Sequence, residues 1–157
     1  MIDYSKYLND RARVIKPSGI RRFFDIASEM KDVISMSVGE PDFITPWNIR
    51  DAAIHSIEAG RTHYTPNRGL LELRQMAVEY LKERFNLEYD AKDTLVTVGA
   101  SEALDLAFRA ILNPGDEVLV PAPSYVSYEP GVRFALGVPV GVETFEEDNF
   151  ILTPESI

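Results

Sequence analysis

Cysteine is absent from this chain of 157 residues. That excludes a disulfide framework and any thiolate chemistry, and it agrees with a reducing compartment. An excess of basic charge is also missing. There are 16 Lys and Arg against 25 Asp and Glu, a formal net charge of −9, which argues against nucleic acid as a partner. No apolar run is long enough to span a bilayer, and the opening MIDYSKYLND lacks the apolar centre that a signal peptide needs. A cytoplasmic location is the resulting expectation, without a membrane partner. Internal repeats and low-complexity tracts are lacking, so no solenoid or disordered linker is in view. The acids are scattered, which reads as solvated faces. The remainder, with 45% hydrophobic residues, is material for a globular core.

The most informative stretch is Thr94 to Leu112, TLVTVGASEALDLAFRAIL. Thr94 to Val98 is β-branched and suits a buried strand. Gly99 and Ala100 are small enough for a tight turn that lets a ligand approach the backbone. From Ser101 the spacing of Leu104, Phe108 and Ile111 predicts a helix, with alanines between them. Asn113-Pro114-Gly115 stops it, and Glu117 to Val120 starts another strand. Strand, small-residue turn, helix and strand in this order predict an α/β fold with a mainly parallel sheet and flanking helices. Such a turn leaves backbone N–H groups at a helix N-terminus, where a phosphate would sit, although any α/β crossover can carry a small-residue turn.

Before this stretch, Pro17 and Gly19 make a bend, and Ile20, Phe23, Phe24 and Ala27 form one apolar helical face. Val33 to Val38 is strand-like, and Gly39-Glu40-Pro41-Asp42-Phe43 breaks it. Thr45-Pro46 has the form of a helix start, with a capping hydroxyl and Pro at the first position. Ile49, Ala53 and Ile57 are that helix's expected buried face, and Gly60 its end. A donor-rich loop, Arg61 to Gly69, leads to a helix from Leu70 to about Phe85, with Leu73, Ala77, Tyr80 and Leu81 inward. After the central stretch, Pro121-Ala122-Pro123-Ser124-Tyr125 is a stiff loop. A short helix from about Glu129 to Leu136 and a third parallel strand, Val138 to Val142, follow, and Thr153-Pro154-Glu155 opens one more helix.

Chemistry in open α/β sheets gathers at the carboxyl ends of strands. The loops at Gly99 to Ser101, Pro121 to Tyr125 and Gly39 to Phe43 occupy such positions. The first offers amides and a helix dipole to an anion, the second an aromatic ring that could stack on a flat heterocycle, and the third a glycine N–H. Together they point to a planar, phosphorylated cofactor.

Several motifs carry a resemblance in their order and spacing. They are Gly39-Glu40-Pro41-Asp42-Phe43 with Thr45-Pro46, Tyr64-Thr65-Pro66-Asn67 with Gly69 and Leu73-Arg74, and Val98-Gly99-Ala100-Ser101-Glu102-Ala103-Leu104. Asn113-Pro114-Gly115-Asp116-Glu117-Val118 and Pro121-Ala122-Pro123-Ser124-Tyr125 complete the set. From about Ser18 onward the chain resembles the class I/II aminotransferases of the fold type I pyridoxal-phosphate enzymes, of the aspartate aminotransferase kind. The resemblance implies that pyridoxal 5'-phosphate is the cofactor, and that an amino group moves between an amino acid and a 2-oxo acid. It also implies a homodimer as the working form and no metal site.

By the same resemblance, Gly99, Ala100 and Ser101 hold the cofactor phosphate through backbone amides and the serine hydroxyl, a charge-assisted arrangement. For Ser101 a plain N-cap role is compatible. Tyr125 matches the aromatic stacked on the pyridine ring, and Tyr64 the tyrosine that reaches the phosphate of the partner subunit's site. Gly39 matches a backbone contact to the substrate carboxylate, and Ile20 lies in the segment that covers the substrate.

The resemblance also exposes what is missing. Chemistry of this class needs a Schiff-base lysine that later moves the α-proton. None of Lys6, Lys16, Lys31, Lys82 or Lys92 stands in the family's lysine context. No catalytic residue is therefore assigned. The chain reads as an N-terminal portion, with residues 1–45 an arm and small-domain contribution and 46–157 the first part of an incomplete large domain. It is expected to be inactive alone, and to fold poorly or associate through uncovered strands and helices. A pyridoxal-phosphate lyase of the same fold, or a non-catalytic aminotransferase-like piece, would carry the same motifs.

Overall fold

A computed structural model of the chain describes residues 4–15, 19–32, 34, 39 and 41–157. They form two compact units, one from Met1–Asp25 with Val98–Ile157 and the other from Ile26–Thr97.

The first unit is organised by a parallel strand pair. β1 (Glu117–Ala122) and β2 (Val138–Glu143) run in register from Glu117 opposite Val138 to Ala122 opposite Glu143. Parallel strands need a crossover. Here it is α6 (Tyr128–Phe134), preceded in the chain by α5 (Gly99–Ile111). The core lies where the crossover returns: Val132 is fully buried, and Ala135 and Val142 nearly so. Gly137 belongs there because a Cβ would stand 2.9 Å from Val132 Cγ1 and 3.2 Å from the Asp116 carbonyl. Gly131 likewise lets α6 approach Phe108 of α5, which would sit 3.0 Å from an added Cβ. Thr144 closes the sheet end by donating from its amide and hydroxyl to the Ala122 carbonyl, at 2.9 and 3.0 Å. At the N-terminus, α1 (Asp10–Val14) is capped by Asn9 and places Arg11 against the Phe134 carbonyl at 3.2 Å, a cation on the last carbonyls of α6. α2 (Gly19–Glu29) follows.

The second unit contains α3 (Trp47–Glu58) and α4 (Leu71–Phe85). α4 ends as the charge pattern Lys82, Arg84 and a left-handed Asn86 at φ 55° direct. A 3-10 turn, Ala91–Asp93, is capped by Asp90, whose carboxylate accepts from the Lys92 amide at 2.9 Å.

Several expectations are corrected. Thr94 to Val98 is not a strand, because no described strand pairs with it; Val98, at ψ 77°, is 89% exposed. α3 starts at Trp47 with Pro46 as its cap and no side-chain cap bond, so the Thr45 hydroxyl does not cap it. Its expected buried face, Ile49, Ala53 and Ile57, is exposed, since no described element of its unit covers it. On α4, Leu73, Ala77 and Tyr80 are exposed and Leu81 half-buried; the buried residue is Arg74. On α5, Leu104 and Phe108 are half-buried and Ile111 is exposed. The chain end forms a 3-10 turn, Pro154–Ser156, in which Thr153 and Ser156 cap each other. The strand expected over Val33 to Val38 lies outside the described residues, Ile34 apart.

Candidate functional site

The first unit brings the α5 N-terminus and the loop after β1 together. The chain enters α5 through Val98, and Gly99 turns it at φ +78° with open space where a Cβ would stand. Glycine is thus required by the sign of φ and not by crowding. The Val98 amide donates to the carboxylate of Glu102, which fastens the turn from within the helix. Val98 being the cap, Ser101 lies inside the first turn and is not an N-cap. The amides of Ala100 and Ser101 sit where no helical carbonyl stands four residues back, at the positive end of the helix dipole.

Tyr125 arrives from the loop after β1. Its ring meets Tyr128 edge-on, with centroids 5.6 Å apart and planes at 79°, and the residue is 49% exposed. The phenol and the Ser101 hydroxyl lie 3.0 Å apart. That hydrogen bond, with a second from Ser127, holds the Tyr125 pKa below the usual tyrosine value, against a small opposing effect of burial. Beside the ring a cavity of about 300 Å³ is lined by Pro121, Ala122, Ser124, Val126 and Glu129. Hydroxyl, first-turn amides and a half-exposed ring beside a hollow form a donor set suited to a phosphate ester carrying a flat heterocycle.

Of the residues singled out from sequence, Gly99, Ala100, Ser101, Tyr125 and Ile20 fall in this unit. Tyr64 and Gly39 belong to the second unit, Tyr64 fully exposed and Gly39 in open space. Ile20 is on α2, and its side chain lies outside the described residues. Sequence reasoning assigned no role to Glu102, which it quoted only within a motif, or to Ser127. Arg74 entered the sequence reading only as part of a motif, with no role assigned to it.

The lysines divide plainly. Lys82 pairs with Glu88 at 2.9 Å, and that bond raises its pKa. Lys92 pairs with Asp90 at 3.0 Å, and Lys6 lies 5.1 Å from the Tyr7 ring centroid. Lys16 is outside the described residues.

Comparison with known proteins gives concordant results. The family "Aminotransferase class I and II" matches residues 31–157. A putative aminotransferase, YugH, of Bacillus subtilis is 53% identical over 150 residues, covering 95% of this chain and 39% of its own length. The aspartate aminotransferase of Pyrococcus abyssi is 47% identical over 151 residues, covering 96% of this chain and 39% of its own length. In three dimensions, the aspartate aminotransferase of Thermus thermophilus solved with maleate superposes with a TM-score of 0.87 at 39% identity, over 95% of this chain and 40% of that one. The chain thus spans about two fifths of the length of the relatives it matches.

Proposed function

The chain belongs to the class I and II aminotransferase family and has part of the fold type I architecture, and on that premise we propose that it carries the pyridoxal 5'-phosphate cradle of an aminotransferase. The protein served by this cradle moves an amino group between an amino acid and a 2-oxo acid, as a cytoplasmic homodimer. The observation that carries the reading is the 3.0 Å approach of Ser101 to Tyr125. It brings the Ser101 hydroxyl and the Tyr125 phenol together, which supports reading the one as a donor to an anion and the other as a ring for a heterocycle.

In this reading the amides of Ala100 and Ser101 and the Ser101 hydroxyl hold the phosphate, and Gly99 supplies the turn that aims them. Glu102 keeps that turn closed by accepting from Val98. Tyr125 packs its face on the heterocycle. Tyr64 contributes to the phosphate site of a second copy, Gly39 meets the substrate carboxylate, and Ile20 covers the substrate. Bound there, the cofactor supplies an electron sink for the substrate's α-carbon.

Among the described lysines, Lys82 and Lys92 are each held in an exposed ion pair with a neighbouring carboxylate. A lysine acting as nucleophile and base must be neutral for part of its cycle, and none of the chain's lysines stands in the family's lysine context. The cradle therefore binds and orients, and the chain alone does not transaminate.

The test is incubation with pyridoxal phosphate followed by borohydride and peptide mapping. Reversible binding without stoichiometric labelling of one lysine is expected. A single lysine labelled stoichiometrically would overturn the assignment of a cradle without its base.

A further inference from the structure

In the second unit, Arg74 breaks local rules in more than one way. It is 8% exposed, yet no carboxylate among the described residues stands within ion-pair distance. It occupies the first turn of α4, where the helix dipole disfavours a cation. A buried charge is tolerated only when its hydrogen bonds are supplied. Here they come from main-chain carbonyls of separate segments: Nε donates to Gly69 at 3.3 Å, and another guanidinium nitrogen donates to Ala91.

Those carbonyls belong to pieces of chain that are tied together elsewhere too. The Val96 amide donates to the Arg68 carbonyl at 3.1 Å, and the Arg68 guanidinium donates to the Lys92 carbonyl. Gly69 at φ +87° leaves so little room that a Cβ would meet Val96 Cγ2 at 2.7 Å. The end of the loop from Tyr64 to Gly69 is thus sewn to residues 91–96, while Tyr64 itself stands fully exposed. Leucine or methionine would fill the Arg74 site without its electrostatic cost, and lysine could not span both carbonyls.

We propose that Arg74 is a positioning residue: its guanidinium clamps the Tyr64–Gly69 loop to the 91–96 segment, so that the Tyr64 phenol is presented from a fixed base. The clamp follows from the hydrogen bonds alone; its consequence for cofactor affinity rests on the reading of Tyr64 as a phosphate ligand.

The experiment uses Arg74→Met and Arg74→Lys in the full chain. Hydrogen exchange at Gly69 and Val96 is expected to accelerate at least about tenfold in Arg74→Met, since both of the guanidinium's bonds are lost and either one to a charged group is worth that much. Amides in the middle of α4 should keep their protection, and Arg74→Lys should fall between the two. Unchanged exchange at Gly69 and Val96 would overturn the clamp, as would equal loss through all of α4. If Arg74→Met does not fold, Arg74→Lys decides by the same comparison. The second readout is the dissociation constant for pyridoxal phosphate in a cycle with Tyr64→Phe. Arg74→Met should weaken binding in the parent but add nothing in the Tyr64→Phe background. Additive losses would contradict action through Tyr64. A parent that binds no pyridoxal phosphate would overturn the cofactor reading, while the exchange data would still decide the clamp.

Discussion

Replacing Gly99 with alanine isolates the turn on which the cradle depends. A Cβ at this position would meet nothing within 4 Å, so crowding contributes no penalty. The backbone, however, sits at φ +78°, where an L-residue pays about 1–2 kcal/mol for the clash of Cβ with its own backbone. If the turn must hold this conformation to aim the amides of Ala100 and Ser101, the same free energy appears as a lower population of the binding-competent form. Pyridoxal phosphate should then bind Gly99→Ala about 5- to 30-fold more weakly than the parent. The assay is a spectrophotometric titration of the cofactor into each protein. Asparagine provides the control, because it tolerates left-handed backbone better than alanine although it is larger. The expected order of affinity is glycine, then asparagine, then alanine. Equal affinity of Gly99→Ala and parent would refute the reasoning, and asparagine weaker than alanine would mean that volume and not φ governs the site.

Ser101→Ala should move the Tyr125 titration upward toward the ordinary tyrosine value, read by ultraviolet difference spectra against Tyr125→Phe; an unmoved titration would contradict the hydrogen bond as its cause. Because the folded pKa is the lower one, this bond adds stability above the unfolded value, and the addition is lost as pH falls through the folded value. Gly137→Ala should cost about 1–3 kcal/mol by overpacking against Val132 and Leu112, seen as lost exchange protection in β1. Protection equal to the parent's would show the site to be slack. The chain alone should self-associate, since each strand of the β1–β2 pair is bonded on one side only among the described residues and Val98 and Ile111 are exposed. A monomer by sedimentation with cooperative unfolding would contradict that.

Helices and turns were legible where local chemistry decides them. The periodicity through Leu104 and Phe108 and the break at Asn113-Pro114-Gly115 placed α5 to within about two residues. The β1 to β2 crossover was equally readable, because its strands find each other through one short helix. Thr94 to Val98 was not, since a β-branched run becomes a strand only where a neighbour accepts its hydrogen bonds. The inward faces assigned to α3 and α4 failed for a related reason: periodicity says which residues share a face, not whether anything covers it. Within the site, the small residues at 99–101 announced a turn, but the identity of the cap depended on backbone angles at Val98. Arg74 was visible as part of a motif but its role was not, because its partners are main-chain carbonyls, which leave no mark in side-chain patterns.

The claim that Ser101 and its neighbouring amides hold a phosphate while Tyr125 holds a ring is tested most directly by comparing pyridoxal 5'-phosphate with pyridoxal. The parent chain should bind the phosphorylated form far more tightly; Ser101→Ala should narrow that difference, and Tyr125→Ala should weaken both ligands alike. Equal affinity of the parent for the two ligands would contradict the account.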